Sequence, residues 1–298
     1  EQGIGLKNWK PENYGKKFYG PSTLRKGIEY SRNLMTVRIA ETLGLNKVLD
    51  LSNKLDIYND IPELLSVSLG SAETTLMNLT SAYASFLNGG KKITPTLVNR
   101  IQDRRGKTIY KDENSKCYGC DKFSEESDEF PKIKLQEKQV LSKETAYQIT
   151  SILEGVIKRG TGKKLKDLGV PLGGKTGTTN NNFDAWFIGF SSNLLVGVYI
   201  GFDSPKTLGK YETGSKAALP IFKSFIKKAL YKEEFKNFDI PDGIYFTPIN
   251  YDTGKKTSFV DKKLVIEALK LKDINNLNNK NLNINTNYDK LIKFRQFY

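Results

Sequence analysis

The stretch from residue 169 to residue 202 constrains the fold of this chain more than any other. It holds Lys175-Thr176-Gly177-Thr178-Thr179, then three asparagines, then two apolar runs at 183–190 and 194–202 with a short polar connection between them. Glycine and asparagine are poor helix formers, whereas aromatic and β-branched residues favour strands. We therefore predict a three-stranded antiparallel meander, with residues 175–178 on its first strand.

The same residues also fit a phosphate loop. Gly169, Gly174, Lys175 and Thr176 match the pattern G-x-x-x-x-G-K-[ST] of nucleotide hydrolases. A phosphate loop must be followed directly by a helix whose N-terminal amides hold the phosphates. The residues after Thr176 oppose a helix, so we expect this match to be accidental. The triplet K-T-G is also found in enzymes that form an acyl-serine with penicillin-like amides.

The chain contains no histidine. This excludes Ser-His-Asp and Cys-His catalysis within the chain, and any zinc site that requires imidazole. Acid–base chemistry near neutral pH must then use lysine, a carboxylate, tyrosine or cysteine. A serine mechanism assisted by lysine satisfies this restriction.

Length and charge narrow the class further. With 298 residues and 38% apolar content, the chain can bury one substantial core, with room for a smaller appendage. Its formal charge is +14, from 47 basic and 33 acidic side chains, but the lysines are spread along the chain. This spread argues against a dedicated nucleic-acid site and leaves attraction to a membrane face or a cell-wall polymer open. The sequence contains no run of about 18 apolar residues, so we predict no membrane span within it.

Apolar spacing predicts a set of helices around the meander. They comprise a helix capped by Ser22, one at 34–43, one at 74–86, one from Ser142 to Gly160, and one at 216–231 that buries Phe222, Phe225 and Ile226. Ser31-Arg32-Asn33 lies at the junction of the first two helices. There, the serine hydroxyl and the asparagine amide can either cap a helix or face a cleft.

Cys117 and Cys120 lie in a polar, acidic insertion at 112–128. A lone C-x-x-C without a second pair and without histidine cannot complete a tetrahedral metal site within this chain, so we predict no metal. A small-loop disulfide and two free thiols both remain open. From residue 275 the chain is rich in asparagine, which predicts a disordered tail.

Three groups of residues carry a family resemblance: Ser31-Arg32-Asn33, Lys175-Thr176-Gly177-Thr178-Thr179, and Asp184-Ala-Trp-Phe-Ile-Gly-Phe190. In combination they resemble the transpeptidase domain of class A penicillin-binding proteins, over about residues 8 to 235. The resemblance implies an α/β (α+β) fold, in which helices flank an antiparallel sheet and an all-helical subdomain packs against it. We expect a transpeptidase domain at 1–235, a small β-rich extension at 236–274, and the asparagine-rich tail at 275–298.

The resemblance also implies an activity and a site. The family cross-links peptidoglycan: a serine attacks the D-Ala–D-Ala amide, and β-lactams acylate the same serine. The catalytic residues implied here are Ser31, which relays a proton, and Lys175. The implied substrate-binding residues are Asn33, Thr176, Gly177, Thr178 and Thr179. No cofactor and no nucleic acid is implied; the implied partners are peptidoglycan stem peptides, β-lactams and other cell-wall synthesis proteins.

One family motif is missing. The family needs S-x-x-K ahead of S-x-N, and no such motif lies in residues 1–30. The chain's S-x-x-K, Ser224-Phe-Ile-Lys227, follows K-T-G, and we expect both of its polar side chains in solvent. We therefore expect the C-terminal part of a larger enzyme at the periplasmic face of the inner membrane, with nucleophile, glycosyltransferase domain and anchor upstream. The alternative is an inactive remnant or a wall-peptide-binding module.

Overall fold

The structure is a computed structural model that describes residues 9–112, 115–118, 132–135, 137–229 and 236–278. Within these residues the α-helices are α1 (Leu24–Glu29), α2 (Asn33–Leu43), α3 (Leu45–Lys54), α4 (Leu76–Leu87), α5 (Lys143–Lys158), α6 (Ala218–Ala229) and α7 (Leu271–Asn278). Short 3-10 segments lie at Leu65–Leu69, Lys163–Leu168 and Asn180–Asn182.

Within the described residues, the strands form one three-stranded sheet and four two-stranded sheets. They are β1 (Lys91–Lys92), β2 (Arg100–Gln102), β3 (Thr108–Lys111), β4 (Ser115–Tyr118), β5 (Lys132–Leu135), β6 (Lys138–Gln139), β7 (Gly173–Thr178), β8 (Ala185–Phe190), β9 (Leu195–Ile200), β10 (Ile244–Asn250) and β11 (Leu264–Lys270). The two-stranded pairs are β1 with β6, β2 with β3, β4 with β5, and β10 with β11.

The central sheet has the order β7-β8-β9 and is antiparallel throughout. Lys175 on β7 lies opposite Ile188 on β8, and Ile188 lies opposite Gly197 on β9. A tight turn joins β8 to β9, in which the amide of Ser191 donates to the carbonyl of Leu194 at 2.9 Å. The predicted meander is therefore confirmed, and residues 175–178 lie on its first strand.

Helices cover both faces of this sheet. Because successive side chains of a strand point to opposite faces, Phe187 and Phe190 of β8 enter different cores. Phe187 packs on Phe222 of α6, with ring centroids 4.8 Å apart. Phe190 packs on Phe238 at 5.6 Å, in a cluster that also contains Val156 of α5. Both phenylalanines of β8 are fully buried, so the strand next to β7 is held from both sides.

The predicted helices at 34–43, 74–86 and from 142 onward are confirmed as α2, α4 and α5. The Oγ of Ser142 accepts a hydrogen bond from the amide of Thr145, as an N-cap side chain should. Strands β2 and β3 pair around a turn at Arg105-Gly106-Lys107.

Two local predictions are wrong. The cap of α1 is Thr23, whose Oγ1 accepts from the amide of Lys26, and not Ser22. The tertiary fold selects between these adjacent hydroxyls, because Thr23 Oγ1 also donates to the carbonyl of Tyr251 at 3.1 Å. Phe225 is 49% exposed, because the buried stripe of α6 runs through Phe222 and Ile226 and leaves Phe225 at its edge.

The last described part is a hairpin of β10 and β11, paired from Ile244 opposite Lys270 to Asn250 opposite Leu264. It packs against α5, where the side chain of Gln148 donates to the carbonyl of Ala268 at 3.0 Å. Helix α7 then extends to Asn278, four residues into the predicted tail. Residues 279–298 and Cys120 lie outside the described residues, so the predictions for the tail and for the cysteine pair stay predictions.

Candidate active site

Strand β7 presents Lys175, Thr176, Gly177 and Thr178 in extended conformation, and the 3-10 segment after it starts only at Asn180. A phosphate loop requires a helix that begins at Thr176. The described residues after Gly174 form a strand that pairs with β8, so no helix begins there whose N-terminal amides could hold phosphates. β7 lies at the edge of the described three-stranded sheet, so one side of this strand is not paired within that sheet.

Ser31 lies in a strained corner between α1 and α2. Its φ angle is +54°, a left-handed conformation that non-glycine residues adopt rarely. The corner is closed by the amide of Ser31, which donates to the carbonyl of Ile28 at 3.1 Å, and by the amide of Arg32, which donates to the carbonyl of Gly27 at 2.8 Å. Strain of this kind persists only where the surroundings enforce it, and it concentrates at functional sites.

The interpretation of Ser31 or Asn33 as a helix cap is wrong. The N-cap of α2 is Arg32, and no side chain provides the capping hydrogen bond. Asn33 instead donates from Nδ2 to the carbonyl of Glu12 at 2.9 Å, which holds the loop that precedes α1. The hydroxyl of Ser31 is turned toward β7.

The side chains of Ser31 and Lys175 are in contact. The Nζ of Lys175 donates to Ser31 Oγ at 2.8 Å and to the carbonyl of Thr176 at 3.0 Å. Burial lowers the pKa of Lys175 to about 8. At neutral pH the side chain is therefore mostly an ammonium, with a minor fraction of free amine. Because the ammonium occupies an oxygen lone pair of Ser31, the serine keeps its own proton free to donate.

The hydroxyls that follow Lys175 differ in their surroundings. Thr176 Oγ1 lies 2.9 Å from Thr161 Oγ1, and Thr178 Oγ1 accepts from the amide of Gly214 at 3.0 Å. Thr179 Oγ1 accepts from the amide of Asp184 at 2.8 Å, so it closes the turn between β7 and β8. Thr178 is the exposed one among the residues of β7.

Glycine at 177 and 214 allows a close approach of backbone segments at the same place. A Cβ at 177 would lie 3.0 Å from the Cβ of Trp186, and a Cβ at 214 would overlap the carbonyl oxygens of Gly177 and Trp186. The segment around Gly214 therefore lies directly on β7. Sequence reasoning did not identify Gly214, because nothing in the local pattern links it to a strand 36 residues earlier.

Thr161 is a second residue that sequence reasoning assigned no role. It stands in Gly160-Thr161-Gly162, and its hydroxyl contacts Thr176. The two flanking glycines indicate a loop at this point, but they do not indicate which residue the hydroxyl contacts. The S-x-x-K at Ser224 and Lys227 behaves as predicted, since both side chains are exposed on α6.

The described residues hold no group of three or more His, Cys, Asp or Glu side chains arranged for a metal ion. None of their helices combines the length and the apolar character needed to cross a bilayer.

Comparison with known proteins agrees with this geometry. The model of the penicillin-binding protein transpeptidase domain matches residues 1–227. The chain is 43% identical to penicillin-binding protein 1A of Rickettsia conorii over 285 residues, which cover 94% of the chain and 35% of that protein. It is 32% identical to penicillin-binding protein 1A of Pseudomonas aeruginosa, over 85% of the chain and 34% of that protein. The chain thus spans about a third of the length of these relatives.

Solved structures give the same result. The chain superposes on penicillin-binding protein 1A from Haemophilus influenzae with a TM-score of 0.76 and 29% identity, over 91% of the chain and 43% of that protein. It also shares the fold of the PonA1 protein from Mycobacterium tuberculosis in complex with penicillin V, with a TM-score of 0.61 and 19% identity, over 77% of the chain and 62% of that protein. The chain therefore belongs to the penicillin-binding protein transpeptidase family.

Proposed function

We propose that this chain forms the substrate-binding wall and proton-relay side of a serine DD-transpeptidase that cross-links peptidoglycan and is acylated by β-lactams. The single observation that carries the proposal is the contact of 2.8 Å between Lys175 Nζ and Ser31 Oγ, which joins the K-T-G strand to the S-x-N corner. These two residues lie 144 positions apart in sequence, so their contact depends on the tertiary fold and not on local structure.

The reaction requires a nucleophile that these residues do not include. In our proposal, a serine of an S-x-x-K segment outside this sequence attacks the carbonyl carbon of the D-Ala–D-Ala bond. The carbon–nitrogen bond breaks, the nitrogen takes up a proton, and D-Ala leaves. Ser31 donates that proton and takes up the proton that the attacking serine has lost. Lys175 keeps the Ser31 hydroxyl oriented. An amine of a neighbouring stem peptide then attacks the carbonyl carbon of the acyl-enzyme. The new amide bond forms as the ester bond to the serine breaks, and the proton that the amine loses returns to the serine oxygen.

The residues of β7 bind the substrate in this proposal. The hydroxyls of Thr176 and Thr178 hold the terminal carboxylate, with the ammonium of Lys175 close by. The amide of Thr178 supplies one oxyanion-hole donor, a contact whose loss typically costs about 2.7–4 kcal/mol of transition-state stabilisation. Gly177 lets the substrate backbone approach the strand, Asn33 binds the peptide stem, and Thr179 holds the end of the strand by its contact with Asp184.

The relatives support the ligand class. PonA1 of Mycobacterium tuberculosis was solved with penicillin V, and penicillin-binding protein A of that organism as imipenem and ceftriaxone acyl-enzymes. We extend β-lactam binding to the longer protein that includes this chain. Its place is then the bacterial cell envelope, at the periplasmic face of the inner membrane, with a membrane anchor, a glycosyltransferase domain and contacts to other cell-wall synthesis proteins.

Labelling with a fluorescent penicillin tests the proposal. We expect the 298-residue chain to stay unlabelled, whereas a longer chain that includes the upstream S-x-x-K segment labels in a 1:1 ratio. In the longer chain, Lys175→Ala should slow labelling at least about 100-fold, as loss of a transition-state contact does, and Ser224→Ala should have no effect. Labelling of the 298-residue chain would contradict the assignment of the nucleophile.

A binding module without catalysis is the second candidate. It is favoured by the fact that the hydroxyls of Thr176 and Thr178 and the Lys175 ammonium lie on one strand without a nucleophile in the sequence. Calorimetric titration of the 298-residue chain with a peptide ending in D-Ala–D-Ala tests it. Millimolar or tighter binding that Thr178→Val weakens, together with a longer chain that does not react with penicillin, would favour this candidate over the enzyme.

A further inference from the structure

A buried cluster of charges lies beneath the Ser31 corner. Glu29 is fully buried and accepts from three side chains: Arg159 at 2.5 and 3.0 Å, Tyr251 Oη at 2.7 Å and Arg25 at 3.4 Å. Arg25, also buried, donates to both carboxylate oxygens of Glu267 at 2.5 and 2.6 Å. Two carboxylates thus face two guanidinium groups, and the charges balance around the buried side chains of Arg25 and Glu29, whereas Arg159 is 31% exposed.

Two glycines pack directly against Glu29. Added Cβ atoms at Gly155 and Gly160 would overlap the carboxylate and the carbonyl oxygen of Glu29, respectively. Arg25 is further held by the carbonyl and the hydroxyl of Ser151, at 3.0 and 3.1 Å. Helix α5 therefore shapes the cavity in which the carboxylate of Glu29 sits.

Glu29 is connected to both sides of the Lys175–Ser31 contact. It ends α1, so that Ser31 follows two residues later in the strained corner. Its carbonyl accepts from the amide of Thr161 at 3.1 Å, and the hydroxyl of Thr161 contacts Thr176 on β7 at 2.9 Å. A displacement of Glu29 would therefore move the two sides of the Lys175–Ser31 contact relative to each other.

Two members of this cluster come from the C-terminal hairpin: Tyr251, just after β10, and Glu267 on β11. Both lie beyond residue 227, where the match to the transpeptidase domain ends. We propose that Tyr251 and Glu267 are positioning residues for the active site: through Glu29 and Arg25, the hairpin holds the Ser31 corner against Lys175. The catalytic consequence rests on the proposed function, whereas the positioning itself does not.

The chain provides a matched control for this proposal. Lys26 and Asp252 form an ion pair at 2.5 Å that joins the same helix α1 to the same hairpin. Asp252 also pairs with Lys263, and neither contact involves Glu29. Asp252→Asn therefore weakens the docking of the hairpin from outside the cluster, while Tyr251→Phe and Glu267→Gln alter the cluster with almost no change in shape.

The test uses the 298-residue chain and needs no penicillin. NMR with ¹³Cε-labelled lysine follows the titration of Lys175, assigned by its absence in Lys175→Arg, and amide exchange follows Thr161. Lys175 Nζ faces the Ser31 hydroxyl and the Thr176 carbonyl. A loosened corner admits water, so in both cluster variants we expect the pKa of Lys175 to rise by about 0.5 unit or more. The Thr161 amide should exchange about tenfold faster or more, as loss of a charge-assisted hydrogen bond allows.

Asp252→Asn should leave the pKa of Lys175 and the exchange rate of the Thr161 amide as they are in the unchanged chain, even if it lowers the midpoint of thermal unfolding. The proposal is overturned if the cluster variants lower that midpoint but leave the Lys175 titration and the Thr161 exchange unchanged, since the cluster then only stabilises the fold. If Tyr251→Phe does not fold, Glu267→Gln decides alone, because the amide keeps the size and one acceptor of the carboxylate. A failure of penicillin labelling in the longer protein would affect the proposed function and leave this result intact.

Discussion

Lys175 combines two features that conflict energetically, a partly buried position and a positive charge. Its only acceptors among the hydrogen bonds described here are neutral oxygens, those of Ser31 and Thr176. Neutral acceptors stabilise an ammonium less than a carboxylate does, so desolvation dominates and the pKa falls to about 8. A catalytic site gains from this arrangement, because the group can exchange a proton near neutral pH.

This shift predicts a pH dependence of stability. Below pH 8, Lys175 is charged in both the folded and the unfolded chain, and burial of the charge destabilises the fold. Between pH 8 and about 10.5, the unfolded chain holds the proton more tightly, so the free energy of unfolding rises with pH. We expect a gain of about 1–3 kcal/mol across this window, relative to Lys175→Met.

Urea unfolding at pH 7.5, 9 and 10 measures this gain. The comparison with Lys175→Met is needed because other lysines and tyrosines titrate in the same range and affect both proteins equally. Parallel pH profiles for the two proteins would show that Lys175 is not desolvated in the folded chain.

Most of the candidate site can be predicted from motifs, since Ser31 and Lys175 were both identified although 144 residues separate them. The partners of the site were not predictable in the same way. Thr161 and Gly214 act through a hydroxyl pair and a backbone approach, and such contacts depend on where loops cross in the fold. Glu29 looked like an ordinary helical residue, because its burial is created by α5 and the hairpin.

Helix α5 illustrates how an element serves the site through a residue without a side chain. Gly155 lies in its interior, where alanine normally stabilises a helix by about 1 kcal/mol. Here the added Cβ would overlap the carboxylate of Glu29 and approach Arg159. We expect Gly155→Ala to lower the free energy of unfolding by about 3 kcal/mol or more, through overpacking and disruption of the buried ion pair.

Gly27 in α1 is the matched control for Gly155. It is also a buried helical glycine, but its added Cβ would meet the terminal atoms of Met35, a side chain that can move aside. Gly27→Ala should therefore cost less than about 1.5 kcal/mol. Equal losses for the two variants in urea unfolding would mean that the Glu29 cavity adapts, contrary to our description.

At the level of elements, the spacing of apolar residues and the local composition predicted the meander, α2, α4 and α5. These elements were predictable because tertiary packing does not override a strong apolar pattern. The failures concern choices that local patterns leave open. Thr23 rather than Ser22 caps α1 because the hairpin accepts a hydrogen bond from its hydroxyl. Phe225 is apolar, yet it lies at the edge of the stripe that α6 buries. In both positions, distant parts of the chain decide.

Across the whole molecule, the two ends of the described chain meet at α1. Arg25 and Glu267 are 242 residues apart in sequence, and their side chains are only 3% and 13% exposed. The matched segment of the family ends at residue 227, so the partner of Arg25 lies outside it. Removal of one member of a buried ion pair leaves an uncompensated charge, which typically costs about 3–5 kcal/mol.

A double-mutant cycle on Arg25→Met and Glu267→Gln measures how strongly the hairpin and the transpeptidase domain are coupled. Because water is excluded from this pair, we expect a coupling free energy of about 2 kcal/mol or more in urea unfolding at pH 7. The control is the same cycle on Lys26→Met and Asp252→Asn. This ion pair connects the same two elements, but its side chains are 28% and 32% exposed, so water and salt reduce its coupling free energy. Equal coupling free energies in the two cycles would mean that the buried cluster couples the hairpin to the transpeptidase domain no more strongly than an exposed ion pair does. The hairpin would then be an appendage held by its outer contacts. A larger value for Arg25 and Glu267 makes the hairpin part of the same cooperative unit as Ser31 and Lys175.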